Sequence, residues 1–244
     1  MSETTDDHSF IIDPARLLRL LTITVAALVV LSLVSQALLY LPDFKLRDLA
    51  AHLFFVDNES SVPTLFSVVL LLSSGCLAFV VARLRISAGG DYVRHWLVFS
   101  LLLIYTAVDE FVVLHERSIP LLRSLLDIDS GPFYFAWVIP ALVLVSVVAL
   151  ASVGFLRNLP APSRRWMLLG ATALVGGAIG IEMIDGMFAP AEGQESLVYM
   201  ILTTVEETFE MLGAALVWCA VLAYLGAILP GGRAGFRIVG PDNS

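Results

Sequence analysis

A largely apolar run from Leu197 to Leu229 contains three glutamates close to its start, in the stretch Thr203–Glu210. The run is long enough to cross a bilayer as a helix and contains no Lys or Arg, so it predicts a transmembrane helix. An ionisable side chain near the centre of such a helix costs roughly 2.5–3.5 kcal/mol on insertion scales, and it therefore usually faces a bundle interior and has a function. Glu206 and Glu210 lie one turn apart on one helical face, and we predict that they point into the bundle together.

The composition excludes several classes of protein. Of the 244 residues, 58% are hydrophobic and 15% are charged, which is typical of a membrane protein rather than a soluble domain. The net charge of −8 without a basic cluster excludes nucleic acid as a partner. Lys45 is the single lysine and lies outside every span, which excludes a retinal Schiff base, and the four histidines do not provide a haem ligand pair. Cys76 and Cys219 lie in apolar blocks and predict buried free thiols.

The apolar blocks predict an all-α fold, a polytopic bundle of six transmembrane helices. The spans are expected at about 17–40, 63–84, 92–114, 133–156, 166–188 and 197–229, between polar cytoplasmic tails at 1–16 and 230–244. Ser61 ahead of Pro63 is a start signal for the second span. Apolar and charged residues alternate near the helical period over 44–56, which predicts an amphipathic helix lying in the membrane interface between the first two spans.

Three further features concern the later spans. The segment 115–132 is interpreted as a connector. Pro140, inside the fourth span, predicts a kink, because proline leaves the carbonyl of Ala136 without its helical donor. In the fifth span, Gly176 and Gly180 have the spacing that lets a second helix approach closely.

The distribution of basic residues predicts the orientation. Six spans place both termini on one side, and that side, with the turns at 85–94 and 157–165, holds ten of the fourteen Lys and Arg residues. Basic residues accumulate on the cytoplasmic side. We therefore predict a protein integral to the bacterial inner membrane, with both termini cytoplasmic and membrane lipids as partners.

This orientation brings the acids of three spans to one depth. They all fall in the outer half of the membrane, and they are Asp109, Glu110, Glu182, Asp185, Glu206, Glu207 and Glu210. His115 and Glu116 follow at the same outer surface. Asp57 and Glu59 also lie there and are interpreted as ordinary loop acids. Because independent helices have no need to place their acids at one depth, the convergence predicts a shared site.

Something has to neutralise these acids, since no Lys or Arg lies near them within their spans. Protonated carboxyls that share hydrogen bonds, bound metal cations, and a water-filled cavity are the alternatives. Oxygen ligands suit Ca²⁺, Mg²⁺ and Mn²⁺, and an added histidine suits Fe, Mn or Zn. We favour a divalent metal cation, with ligands drawn from Asp109, Glu110, His115, Glu182, Asp185, Glu206 and Glu210.

Helical spacing assigns supporting roles around this predicted metal site. Asp109 and Glu110 point about 100° apart, so one is expected as a ligand and the other as its partner. Glu207 is expected to hydrogen-bond a neighbour rather than the metal. The candidate supporting hydroxyls are those of Tyr105, Thr106, Tyr199 and Thr203.

Three stretches together resemble a group of bacterial polytopic membrane proteins of unassigned function. They are Glu59-x-x-x-Pro63-Thr64-x-Phe66-Ser67, Asp109-Glu110 with His115-Glu116, and Glu206-Glu207-x-x-Glu210. The resemblance covers most of residues 50–225 and implies a six-span bundle with these acids in one site. The chain is also faintly similar to the ceramidase-like membrane hydrolases, which carry an Asp-Glu pair in a span, but it lacks their zinc-binding His-x-x-x-His pair.

Three functions remain open from the sequence. The first is a metal-dependent enzyme acting on a lipid-like substrate at the outer leaflet, with the 44–56 helix as a lid and a spare glutamate as general base. The second is a transporter of a divalent cation or one coupled to protons. The third is a non-catalytic membrane subunit or sensor whose acids bind a structural ion or dock a partner.

Overall fold

The computed structural model describes residues 13–39, 45–193 and 196–229, and within them it contains helices and turns without a strand. The helices are α1 (Pro14–Leu38), α2 (Lys45–Phe54), α3 (Val62–Ser87), α4 (Val93–Val112), α5 (Leu114–Leu126), α6 (Val138–Asn158), α7 (Ala161–Val175), α8 (Glu182–Glu192) and α9 (Leu197–Ile228), with a π-helical turn at Gly176–Ile181 between α7 and α8.

Within the described part of the chain, six helical stretches are long and apolar enough to cross a membrane. They are α1, α3, α4, α6, the continuous run Ala161–Ala191 and α9. The protein is therefore an all-α polytopic membrane protein, as predicted. We refer to the end of the bundle where α4 finishes and α9 begins as the acidic end, because Asp109 and Glu206 lie towards it.

Side-chain caps begin three of the spans. Asp13 accepts from the backbone N–H groups of Ala15 and Arg16 at the start of α1. Ser61 accepts from Thr64 at the start of α3, and Ser196 accepts from Tyr199 at the start of α9. Each cap satisfies a backbone donor that has no partner within the helix. The start signal at Ser61 and Pro63 is confirmed.

Helix α9 lies at the centre of the bundle, packed against α1, α3, α7 and α8. Its contact with α7 is close enough to require glycine on both helices. A Cβ on Gly213 would lie 2.6 Å from the backbone nitrogen of Leu174, and one on Gly170 would lie 2.9 Å from the carbonyl oxygen of Gly213. The predicted glycines were the wrong ones, because a Cβ on Gly176 or on Gly180 would meet nothing within 4 Å.

Aromatic and small side chains join α4 to its neighbours at the end opposite the acidic end. Trp96 is fully buried, with its ring centroid 5.1 Å from that of Phe155 and 4.6 Å from that of Tyr224. The hydroxyl of Ser100 donates to the carbonyl of Gly75 at 2.7 Å, which holds α4 against α3. These contacts place α4, α6 and α9 in a fixed relation to one another.

The structure corrects three sequence predictions. Helix α6 begins at Val138, so Pro140 lies in its first turn, and the carbonyl of Ala136 accepts from Ile139 at 3.2 Å instead of being left free. The predicted connector 115–132 contains α5. Cys219 is buried as predicted, but Cys76 is exposed on the outside of the bundle, and both are free thiols.

The predicted interfacial helix over 44–56 is α2 between Lys45 and Phe54, and residue 44 lies outside the described residues. Leu46 and Leu49 on α2 are exposed. Of the predicted tails, residues 1–12 and 230–244 lie outside the described residues, whereas α1 already begins at Pro14.

Candidate functional site

The helical backbone is interrupted at Val113 where α4 ends, and the interruption brings Asp109 to His115. Val113 adopts a left-handed conformation with φ 58°, which is unusual for a β-branched residue. In consequence Asp109 Oδ1 accepts from the backbone N–H of His115 at 3.0 Å, and Asp109 Oδ2 lies 2.8 Å from His115 Nδ1. With Nδ1 as the donor, the carboxylate fixes the ring and leaves Nε2 available as an acceptor or a metal ligand.

Trp137 connects this histidine to α8. Its ring lies against that of His115 with a centroid separation of 4.7 Å, and its Nε1–H donates to Glu182 Oε1 at 2.9 Å. Trp137 was not predicted from the sequence as a residue of the site. The sequence feature that could have indicated its role is its position just before the fourth predicted span. There it lies at the membrane boundary, where tryptophan is enriched, and at the level of the acids.

The π-helical turn Gly176–Ile181 immediately precedes Glu182. Such turns are rare and often lie at functional sites. A Cβ on Gly177 would lie 2.9 Å from the carbonyl oxygen of Glu206 and 3.0 Å from Glu210 Cγ. The missing side chain therefore lets the acidic turn of α9 lie directly against the segment that leads to Glu182.

Carboxylates from α4, α8 and α9 lie within electrostatic reach of one another. Glu206 interacts with the charges of Glu182 and Asp185. Glu210 interacts with those of Glu110, Glu182 and Asp109. The charges acting on Glu207 include that of Glu110, so the structure brings acids of all three spans near one another.

Two of these acids have buried oxygens without a hydrogen-bond partner. Asp185 is 2% exposed, and its Oδ1 contacts no donor. The Oε2 of Glu207 is likewise buried and unpaired. A buried polar atom without a partner is costly, so it indicates a place where a proton, a water or an ion is needed.

The described residues do not form a ready-made metal site. Within them, no group of three or more His, Cys, Asp or Glu side chains is arranged so that it could hold a metal ion. The predicted ligands approach one another, but their oxygens are not gathered around one point. The divalent cation therefore stays a prediction.

A second set of polar groups lies above these acids, in the loops at the acidic end. Asp57 lies close to Tyr199 and interacts with the charges of Glu116, Asp185 and Glu59. Although part of its surface is exposed, desolvation by the surrounding protein together with these three charges raises the pKa of Asp57 to about 7. Asp57 therefore belongs to the candidate site, and its interpretation as an ordinary loop acid is corrected. The sequence feature that could have indicated this is its predicted position at the same outer surface as the other acids.

The pKa values of His115 and Glu116, at the start of α5, are also shifted by burial and by neighbouring charges. Burial lowers the pKa of His115, but the hydrogen bond and charge of Asp109 outweigh it, so the pKa lies above its usual value. Burial, together with the charges of Glu59 and Asp109, raises the pKa of Glu116 against the opposing effect of His115.

The candidate supporting hydroxyls fall into two groups. Tyr199 lies close to Thr203 and to Asp57, so these two hydroxyls lie beside the acids. Tyr105 is 53% exposed on the outside of the bundle, and Thr106 donates to the carbonyl of Leu102 in its own helix.

Comparison with known proteins gives one match. A family model described as a domain of unknown function (DUF8692) matches residues 20–225, which include every residue of the candidate site. The chain belongs to this family. No curated protein and no solved structure matches the chain. Membership of DUF8692 agrees with the resemblance to membrane proteins of unassigned function, and it supplies no activity, so function has to be argued from the site.

Proposed function

We propose that the acidic end of this DUF8692 protein binds a divalent cation and uses it to hydrolyse a lipid-like substrate at the outer face of the bacterial inner membrane. The observation that carries the proposal is the pair of hydrogen bonds that Asp109 accepts from His115, one from the backbone N–H and one from ring Nδ1. A carboxylate that holds one ring nitrogen of a histidine, and leaves the other free, is the usual support of a metal-bound histidine.

The charges around the site favour a cation. The neighbouring charges that act on Glu206, Glu207 and Glu210 belong to other carboxylates. At the acidic end, Arg123 is occupied by the ring of Tyr134 at 4.1 Å and by the carbonyl of Ile128. A bound cation would gather the carboxylates that like charge keeps apart in its absence, which is compatible with the lack of a ready-made shell among the described residues.

Carboxylate oxygens with one histidine nitrogen suit Mn²⁺, Fe²⁺ or Zn²⁺. Such a cation supplies polarisation of a substrate carbonyl or phosphoryl oxygen and a more acidic water. His115 Nε2 would bind it, supported by Asp109, while Trp137 would hold Glu182 in place. A glutamate that is not a ligand, such as Glu207 with its unpaired oxygen, would accept the proton from the attacking water.

The packing of the opposite half of the bundle supports an enzyme over a transporter. Beyond Glu210, the next buried side chains of α9 are Met211, Ala214, Ala215 and Val217, which are at most 1% exposed. The polar groups described there, such as Ser74 and Ser100, are satisfied by backbone carbonyls. Among the described residues there is thus no chain of acids through which an ion or a proton would cross.

Metal analysis of the purified full-length protein tests the first half of the proposal. After equilibration with Mn²⁺, the wild type is expected to retain about one ion per chain by the proposed stoichiometry, and Glu210→Gln is expected to retain much less. Asp129→Asn serves as the matched control, because Asp129 is a 95% exposed carboxylate in a loop at the same end. A wild type without metal, or three proteins with equal metal, would refute the cation site.

Turnover tests the second half. The metal-loaded protein in vesicles of bacterial phospholipids and other acyl lipids should release hydrolysis products that mass spectrometry of the lipid extract detects, and Glu206→Gln should abolish the release. Metal binding without any hydrolysis product would indicate a structural ion and would contradict the proposed enzyme activity. If the wild type takes up Mn²⁺ into the vesicles and Glu206→Gln abolishes this uptake, the result would contradict the enzyme and support a transporter.

A further inference from the structure

Helix α5 has three distinct faces. With 100° per residue, Leu114, Leu121 and Leu125 form one stripe along the helix. His115 lies about a quarter-turn away and faces the bundle, where Asp109 and Trp137 contact it. Glu116, with other polar residues, lies on the side opposite the stripe.

The leucine stripe of α5, formed by Leu114, Leu121 and Leu125, contacts little of the chain. These side chains are 40%, 63% and 70% exposed, and α5 contains no buried residue. Exposing a row of leucines to water is unfavourable by about 25 cal/mol per Å². Something apolar should therefore cover this stripe in the native environment.

The position of the stripe indicates what covers it. Helix α5 starts two residues after the membrane-spanning α4 ends, across the single turn at Val113. The exposed apolar surface of α4 includes Val108 and Phe111, which are 45% and 63% exposed. The stripe continues that lipid-facing surface at Leu114, just beyond the end of the span.

The charge beside the stripe agrees with a lipid surface. Arg117 is exposed and lies one helical turn before Leu121, at the edge of the stripe. An arginine at the edge of an apolar face extends its guanidinium towards the phosphates of lipid headgroups while its methylenes cover apolar surface.

We infer that α5 is an interfacial helix that docks its leucine stripe into the lipid leaflet at the acidic end of the bundle. The inference does not rest on the proposed hydrolysis. It does fix the depth of His115, which begins the helix, near the level of lipid headgroups and acyl carbonyls rather than in bulk water.

Nitroxide accessibility in the reconstituted full-length protein tests this docking. Cys76→Ala and Cys219→Ala remove the two native thiols, and Leu121→Cys and Leu125→Cys then carry spin labels one at a time. Ser124→Cys is the matched control, since Ser124 is exposed and lies about 100° round the same helix from Leu125, outside the stripe. In vesicles of phosphatidylethanolamine and phosphatidylglycerol, labels at 121 and 125 should be more accessible to oxygen than to a water-soluble nickel complex, and the label at 124 should show the reverse order.

Two other results would overturn the inference. Equal access of the nickel complex to all three labels would place α5 in water. Exclusion of both probes from 121 and 125, with spin–spin broadening, would show that a second copy of the chain covers the stripe. If a labelled variant fails to reconstitute, the quenching by brominated lipid that Leu125→Trp adds to that of the four native tryptophans, compared with Ser124→Trp, tests whether lipid covers the stripe. No added quenching for Leu125→Trp would overturn the inference.

Discussion

Asp109 holds His115 at two points, with one carboxylate oxygen 3.0 Å from the backbone nitrogen and the other 2.8 Å from ring Nδ1. The first contact caps the start of α5, and the second orients the imidazole. One side chain at the end of α4 therefore both builds the next helix and aims its histidine. The structural and chemical parts of this interaction can be separated by substitution.

Asp109→Asn should keep the cap and weaken the contact with the ring. The amide oxygen still accepts from the His115 backbone, but the negative charge that raises the pKa of His115 is lost, so that pKa should fall. Titration of the His115 ring by NMR measures the change. An unchanged His115 titration in Asp109→Asn would contradict the role given to the Asp109 charge.

The same substitution should have a pH-dependent effect on stability. A histidine whose folded-state pKa is raised contributes stability at pH values below its unfolded pKa, and this contribution is lost as the pH rises through the folded pKa. Asp109→Asn should therefore lower the free energy of unfolding by roughly 1–2 kcal/mol at pH 5, and by less at pH 8. A loss that is equal at both pH values would contradict the charge-based account.

Trp137→Phe should weaken metal binding without disturbing the fold. Phenylalanine retains a ring against His115 but leaves Glu182 Oε1 without its donor. Loss of such a supporting hydrogen bond typically lowers metal affinity by about 10–100-fold, which Mn²⁺ titration would measure. Trp166→Phe is the control, because Trp166 packs against the apolar core instead of an acid. Equal Mn²⁺ affinities in the two variants would show that Trp137 does not support the metal site.

Gly177→Ala should destabilise the bundle, whereas Gly176→Ala should not. The added methyl at 177 would lie 2.9 Å from the Glu206 carbonyl, so α9 has to move, whereas position 176 opens on free space. Overpacking of this kind costs about 1–3 kcal/mol, and alanine in place of an unconstrained helical glycine is neutral or stabilising. Unfolding in mixed micelles compares the two, and a similar result for both would contradict the described contact between the π-helical turn and α9.

Asp57→Asn should change how stability depends on pH. The pKa of Asp57 is raised from 3.8 to about 7 in the folded protein, so the folded state binds a proton more readily than the unfolded state between these values. This carboxyl therefore lowers stability progressively as the pH rises from about 4 to 7. Asp57→Asn should gain stability relative to the wild type at pH 8 but not at pH 4, which unfolding in mixed micelles at the two pH values would measure. An equal change at both values would contradict the raised pKa.

The long apolar helices could be predicted from the sequence because length and hydropathy are local properties. The same is true of the cap at Ser61. Helix α5 was missed, although the similarly amphipathic α2 was predicted, because Pro120 lies inside it and proline usually ends a helix. Pro140 was misread because its effect depends on where α6 begins, and that boundary is set by the preceding turn rather than by α6 itself.

The site could be predicted only as a set of acids at one depth. Nothing in the sequence indicates that Asp109 folds back on His115, since this depends on the left-handed conformation of Val113. The roles of Trp137 and Asp57 likewise arise from contacts between distant segments. Gly177, rather than Gly176 or Gly180, meets α9, because the direction of each glycine depends on the π-helical turn.

That turn also makes the fifth span tolerant of one particular change in chain length. A π-helical turn accommodates one residue more than an α-helical turn, so removing a single residue between Gly176 and Ile181 would restore regular α-helix. Because the wide turn absorbs the extra residue, the helix beyond it would keep its direction, and Glu182 and Asp185 would stay beside α9. The same deletion in the regular helix α7 would instead rotate everything downstream by about 100° and turn both acids away from α9.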